Sequence, residues 1–554
     1  MFAITRAGLF ERSTTTPQGV LPDLTYNDDL FNFTRGRFVC DEVYEMPQRH
    51  VQFNVNELAR IAADAAGSKT CIRIEKYPDG MYNKAMLLTM NDGSQVVAKV
   101  PNPNAGKPHF TTASEVATMD FVRNVLETPV PKVFTWSSKA GENPVGAEYV
   151  IMEKLPGIEL ERVWPAMKIG ERLEVVKTIA KYQKTWTSVR FKKYGGLYYA
   201  KDLDATSRNE PLYTDANGAD VEDSRFAIGP STGRELIDNG RTAVDFDRGP
   251  WETLKDYHVA IGQREIAAVS NLPRLPKSPI TLCGPGTYQP TREKKLKALN
   301  CYLKLIKFLL PKDRSITSSH LWHGDLYVAN IFVNSSNPTE ITGIIDWQST
   351  ELAPLYHHTH QPQIIDYEGP QVVGLERPQL PKDMNQFNTE EKKRAQVLYL
   401  KQSLCSLYNT ITHHQNPQLY AALEFQQTPS HLLLLLARNL LIDGKASYLS
   451  QVAALEETWD ELPGAKGSIY PFSFSASEKE EMEADTEGVV RGMEAMRAIK
   501  ESIGELFPEQ GIVRTELYEE ALDALKQMKV QVIEEFAKND EEREIWRRKW
   551  PFGT

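Results

Sequence analysis

Residues 320–350 read HLWHGDLYVANIFVNSSNPTEITGIIDWQST, and this stretch restricts the fold more tightly than any other. Ile331, Phe332 and Val333 form one strand-like run and Ile341 to Ile345 a second. Between them Asn334, Ser335, Ser336, Asn337 and Pro338 are turn formers, so the two runs are expected to pair as a hairpin. Folding about residue 338 sets Asn330 opposite Asp346, with Asp325 on the loop entering the same mouth and His323 and Gly324 just before it. Two carboxylates and a carboxamide therefore converge at one end of a short hairpin. Such oxygen donors suit Mg²⁺, which prefers one or two carboxylates plus substrate phosphates to an all-protein cage.

The chain ahead of Gly157 is β-rich. Val55–Ala66 has helical spacing with Gly67 as its stop, and Cys71–Tyr77, Lys84–Met90 and Ser94–Val100 are strand-like. Asn91-Asp92-Gly93 is a hairpin turn, and Pro78–Asn83 is a looser one. Lys99 lies near the end of the third strand. It reads either as an edge lysine that discourages aggregation or as a phosphate-binding lysine on the inner face of a small sheet. Residues 111–126 follow as a helix, in which Glu115 has two competing roles: partner of Lys99, or second half of a Thr112-x-x-Glu115 capping box. Val133–Trp136 and Glu148–Met152 complete five strands, closed by Pro156-Gly157.

Beyond Gly157 helical patterns dominate: Glu171–Val189, Leu254–Ala268 within a loop-rich 198–290 insert, Lys294–Leu310, residues 390–460, and a charged Glu478–Lys549 broken at 507–511. The expected fold class is α+β and bilobal, a small β-rich lobe followed by a larger helical one. Its divisions are an N-terminal extension (1–60), the nucleotide-binding lobe (61–155), a helical lobe (156–470) and a helical extension (471–554).

With 64 basic and 74 acidic side chains, the net charge of −10 argues against a general nucleic-acid binder, which needs a basic surface. The 5 cysteines are scattered without a CxxC pair, which favours a reducing compartment over a disulfide framework. The most apolar run, Leu432–Ile442, falls well short of the ~20 residues of a membrane span. At the start, Arg6 and Arg12 with Phe2, Leu9 and Phe10 fit a basic amphipathic targeting helix, which Glu11 interrupts.

A β-rich lobe carrying a lysine, followed by a helical lobe carrying Asp, Asn and Asp, is the layout of a phosphoryl-transfer site, where catalysis is mainly positioning and charge neutralisation. Lys99 would hold nucleotide phosphates, Asn330 and Asp346 the Mg²⁺, and Asp325 the proton of an attacking hydroxyl. His323-Gly324-Asp325-Leu326-x-x-x-Asn330 with Ile344-Ile345-Asp346-Trp347 resembles the aminoglycoside phosphotransferase-like branch of the protein-kinase-like fold. FNFTRGRF (31–38), VVAKVPNP (96–103), FAIGPST (226–232) and RGPW (248–251) extend the likeness to a fungal, mitochondrial group within that branch.

The resemblance implies ATP and Mg²⁺ as cofactors, a small-molecule acceptor, Asp325 as catalytic aspartate and Asn330 and Asp346 as metal ligands. It further implies Lys99 paired with Glu115, a hinge at Glu153–Leu155 whose backbone meets adenine, and the loop Asp79–Asn83, with Gly80 and Asn83, over the phosphates. The sequence departs from the kinase pattern in having no GxGxxG in that loop, HGD for HRD and Asp346-Trp347-Gln348 for DFG. Two rival readings stay open: a catalytically silent ATP-binding scaffold, and a metal-dependent hydrolase using His320, His323, His357, His358 and His360. Trp322 and Trp347 read as core aromatics.

Overall fold

The five-stranded sheet ends ahead of Gly157, and most of the helices follow it. A computed structural model describes residues 28–203, 210–359, 361–462 and 464–553; the proposed targeting segment and His360 lie outside them. After a short strand β1 (Arg37–Phe38), helix α1 (Val55–Ala66) starts where the Asn54 side chain accepts from the Glu57 amide and stops where Gly67 takes φ 72°. Strands β2 (Cys71–Lys76), β3 (Asn83–Met90) and β4 (Gln95–Pro101), helix α2 (Phe110–Asn124), and strands β5 (Val133–Ser137) and β6 (Tyr149–Glu153) follow. The five strands β2 to β6 form one antiparallel sheet in the order β2-β3-β4-β6-β5. Gly93, at φ 86°, turns β3 into β4.

Under this sheet Leu30, Phe31, Val55, Leu58, Met86 and Ile151 share one buried cluster. A division at residue 60 would cut α1 and this cluster in two. The expected boundary is therefore corrected: residues 28–60 pack as part of the small lobe.

The larger lobe begins with β7 (Ile158–Glu159) and α3 (Ile169–Thr187). In the insert, β8 (Gly196–Tyr199) pairs with β9 (Phe226–Gly229), Tyr199 opposite Phe226, where the composition suggested loop with short helical stretches. Helices α4 (Leu254–Asn271) and α5 (Arg292–Leu309) lead to β10 (Ser319–Leu321), the hairpin β11 (Ile331–Val333) and β12 (Ile341–Ile344), and β13 (Leu352–Pro354). β10 and β13 pair, His320 opposite Ala353, so the segment between them leaves and rejoins one small sheet. β7 flanks β11, giving the hairpin a third strand. Beneath it Trp186 meets Trp322 and Trp347 edge-to-face at 5.3 and 5.6 Å between ring centres. Both Trp322 and Trp347 are buried, as core aromatics should be.

Helices α6 (Thr389–Gln415), α7 (Pro417–Phe425), α8 (Pro429–Ala437) and α9 (Lys445–Thr458) complete this lobe. The extension adds α10 (Ala476–Ile503), β14 (Ile512–Val513), α11 (Tyr518–Phe536) and α12 (Asp540–Lys549). Lys294–Asp485 (2.6 Å) and Lys297–Glu478 (2.7 Å) dock α10 on α5. β14 then pairs with β1, Phe38 opposite Ile512, so the extension also returns to the small lobe. Among the described residues no helix is long and apolar enough to cross a membrane.

Gly157 joins the lobes at φ 95°, and a Cβ there would run into the Val333 carbonyl oxygen of the hairpin. Gly157→Ala should therefore cost about 1–3 kcal/mol of backbone strain and overlap. A thermal melt is expected to show a Tm several degrees lower; an unchanged Tm would show that the junction yields without cost.

Candidate active site

The hairpin sets the site. Ile331 faces Ile344 and Phe332 faces Gly343, with a bulge between Phe332 and Val333. Asn334 and Glu340 close the turn, which is centred on residue 337 rather than 338, and the bulge recovers only part of the offset. Asn330 consequently stands opposite Ile345, whose N–H donates to the Asn330 carbonyl at 2.9 Å. The expected Asn330–Asp346 pairing is thus one residue out. Asp346 is the next residue, at φ 65°, a left-handed conformation that Asp tolerates better than most side chains.

Lys99 sits on β4 between Ala85 of β3 and Val150 of β6, which excludes the edge-lysine reading. Its Nζ lies 2.6 Å from Glu115 Oε1 and 3.2 Å from Asp346 Oδ1. Burial alone would lower the Lys99 pKa, but Glu115 and Asp346 outweigh it and raise it, so the ammonium stays charged. Burial holds Glu115 above the usual carboxylate range, with Lys99 opposing. The capping-box role fails because Thr112 lies inside α2. Its hydroxyl donates to Glu148 Oε2 at 2.5 Å, and Glu148 also accepts from the His109 amide at 2.7 Å. Glu148, not Glu115, caps the positive end of α2.

His323 ties the two halves of the mouth together. Its Nδ1 accepts from the Asp325 amide at 3.2 Å, which leaves Nε2–H to donate to the Ile345 carbonyl at 2.9 Å. Burial lowers its pKa, in keeping with a neutral ring. Asn330 Nδ2 donates to the Asp325 carbonyl at 2.9 Å and to its Oδ2 at 3.2 Å. That orientation directs the Asn330 amide nitrogen at Asp325 and leaves its oxygen outside that contact. The carboxylate of Asp325 is open to the cleft, yet partial burial and the negative Asp346 push its pKa up to about 6 against the pull of Asn330. Excess negative charge beside an Asn oxygen and a 43% exposed Asp346 carboxylate is an arrangement that a divalent cation relieves.

The remaining expected residues are placed less simply. Asn83 Nδ2 donates to Gln348 Oε1 at 2.5 Å, bridging the lobes. Gly80 is outside the left-handed region, and a Cβ there would meet only Asn83 O at 3.6 Å, so the loop does not depend on glycine. At the hinge the Glu153 carboxylate accepts from the Lys132 amide at 3.0 Å and faces Arg123 at 3.5 Å, while Leu155 packs over Gly343. The Glu153 and Leu155 side chains are thereby engaged away from the cleft, and Lys154 between them is exposed.

A cavity of about 1000 Å³ opens beside Trp322, His323 and Gly324, walled by Arg234 and Glu235 of the insert, Glu351, and Arg438. Glu235 and Arg438 pair at 2.5 Å. Glu351 Oε2 accepts from Ser231 at 3.0 Å and its Oε1 lies 3.2 Å from His357 Nε2; burial opposes its ionisation, but His357 holds its pKa down at about 2. Sequence reasoning gave no role to Arg234, Glu235, Glu351 or Arg438; Glu235 and Arg438 are 203 positions apart, and no local spacing joins them. Three of the histidines proposed as transition-metal ligands are engaged elsewhere: His323 as above, His357 with Tyr257 (2.9 Å), and His358 with the His320 carbonyl (3.0 Å), whereas the His320 ring nitrogens are buried without a hydrogen-bond partner. Among the described residues no three His, Cys, Asp or Glu side chains gather to hold a metal.

A sheet-bearing lobe joined to a helical lobe, with this cleft between them, defines a bilobal α+β kinase-like protein. Residues 73–357 match the phosphotransferase enzyme family model (APH), and the chain belongs to that family. A subtelomeric hrmA-associated cluster protein of Aspergillus fumigatus is 27% identical over 516 residues, covering 87% of this chain and 97% of its own. Altered inheritance of mitochondria protein 9, mitochondrial, of Yarrowia lipolytica is 22% identical over 485 residues, covering 83% and 81%. Among solved structures, a putative fructosamine-3-kinase from Thermobifida fusca aligns at TM-score 0.35 and 11% identity, covering 72% of this chain and 97% of its own. At that TM-score the likeness adds nothing to the family match.

A carboxyl whose folded pKa lies above its unfolded value binds its proton more tightly when folded, so its contribution to stability falls as pH rises from about 4 and is lost past the folded value. Asp325→Asn removes this charge. In metal-free buffer the variant should melt above wild type at pH 8, with the difference shrinking to nothing by pH 4; a pH-independent difference would contradict the raised pKa.

Proposed function

We propose that this chain is an ATP- and Mg²⁺-dependent phosphotransferase that phosphorylates a hydroxyl of a small molecule. The observation that carries it is the line Glu115–Lys99–Asp346, closed across the cleft beside the Asp325–Asn330 pair, in a member of a phosphotransferase family. Asn330 and Asp346 would hold Mg²⁺, which supplies charge neutralisation on the phosphates when bound. Lys99 would place a phosphate oxygen, with Glu115 fixing the ammonium. The adenine would meet the Glu153–Leu155 backbone, and Asp79–Asn83 would cover the phosphates. The acceptor would sit in the cavity next to Gly324. Its oxygen forms the new bond to the γ-phosphorus as the bond to ADP breaks, and Asp325 takes the hydroxyl proton. An Asp with pKa near 6 is mostly ionised at neutral pH and so is ready to accept it.

Location in mitochondria is proposed from the likeness to mitochondrial proteins such as that of Yarrowia lipolytica. A tagged full chain that never co-localises with mitochondria would overturn it. Nucleotide use has its own test. Mg·ATP should raise the Tm of wild type, whereas Asp346→Ala should lose the Mg²⁺-dependent part of that shift. Equal shifts in both proteins would remove Asp346 from the metal site.

A further inference from the structure

The loop Asp79–Asn83 lacks the GxGxxG pattern that lets such loops wrap a phosphate, its one glycine being Gly80, yet it is held from outside by segments near both ends of the chain. Thr34 donates to Asp79 Oδ2 through its amide and its hydroxyl, each at 2.8 Å. Lys76 Nζ donates to the same oxygen at 2.7 Å and to the Asp29 and Asn32 carbonyls at 2.9 and 2.8 Å. On the other side Lys84 Nζ lies 3.7 Å from Asp79 Oδ1 and donates to the Arg49 carbonyl at 2.7 Å. Asp79 and Lys84 are buried. Two lysines from the flanking strands and one threonine from the N-terminal segment thus converge on a single carboxylate.

The opposite face of the loop is apolar. Met81 packs against Phe33, Phe38 and Ile512, and Asn104 donates to the Met81 carbonyl at 3.1 Å. Phe38 pairs in the β1–β14 ladder with Ile512. Arg37 lies 3.6 Å over the Tyr518 ring, locking the same strand to α11. The contacts run without a gap from the C-terminal extension, through the N-terminal segment, to the loop.

We propose that residues 28–50, clasped by β14 and α11, form a strap that preorders the phosphate loop, and that Asp79 is its positioning residue. This rests on the assignment of the loop to nucleotide phosphates. The physical ground is entropic. A short loop gains little by flexing onto a ligand, and contacts made beforehand lower the cost of ordering it and its single glycine on binding. Asp79 acts through its neighbours: its carboxylate holds the strap and its backbone begins the loop. The strap also accounts for a terminal extension that reaches the nucleotide lobe.

Calorimetric titration of the full chain with Mg·ATP and, separately, with adenosine tests the proposal, in wild type, Asp79→Asn and Thr34→Val. Asp79→Asn keeps the shape and removes the charge. It should weaken Mg·ATP binding about tenfold, and Thr34→Val about threefold, with adenosine affinity unchanged in both. In the nucleotide-free protein, amides of residues 79–83 should exchange faster in both variants. Should Asp79→Asn fail to fold, Thr34→Val and Ile512→Ala carry the same comparison. Variants that bind Mg·ATP as wild type does, or that lose adenosine in equal measure, would overturn the strap alone. Wild type that binds neither ligand would overturn the nucleotide reading and the strap with it.

Discussion

Lys99 is buried at the centre of the small-lobe sheet and pairs with a buried Glu115 at 2.6 Å. Either charge left alone there would be costly: breaking one partner of a buried pair typically costs about 3–5 kcal/mol. The pair therefore fixes α2 against the sheet. Its third member, Asp346 at 3.2 Å, comes from the other lobe, so the same ammonium sets the opening of the cleft. Asn83–Gln348 makes a second bridge on the same side. The geometry available to a nucleotide follows from these few atoms.

The floor of the cleft is held just as firmly. A neutral His323 spans from the Asp325 amide to the Ile345 carbonyl, joining the loop that carries Asp325 to the strand that delivers Asp346. Trp347 packs edge-on to His323 at 4.6 Å and to Trp186, and Trp186 Nε1 donates to Thr128 at 2.9 Å. This stack carries no chemistry of its own. It turns a short hairpin into a rigid mount, which a site of oriented charges needs.

Much of this was legible in the sequence because the signals are local. Residues 331–345 carry their own turn, Gly67 and Gly93 mark ends that need positive φ, and α2, β4 and β6 lie within two residues of their expected bounds. Two kinds of feature were not legible. The first is register: one bulge and a turn centred one residue early moved the partner of Asn330 from Asp346 to Ile345. The second is long-range pairing. Glu148 capping α2, Thr34 on Asp79, β1 on β14 and Glu235 with Arg438 join residues 36 to several hundred apart, and no local spacing encodes them. The boundary expected at residue 60 failed for the same reason, since the cluster that absorbs Leu30 and Phe31 draws on strands further along.

The cavity beside Gly324, where the acceptor is proposed to sit, draws its walls from the insert, the segment after Asp346 and the helices around Arg438. The central claim is that Asp325 accepts the proton of a hydroxyl phosphorylated from ATP. Incubating the purified chain with γ-labelled ATP, Mg²⁺ and a metabolite extract tests it most directly, with Asp325→Asn run in parallel. A labelled small molecule formed by wild type and nearly absent with the variant is the predicted result. The same product formed at an unchanged rate by Asp325→Asn would contradict it.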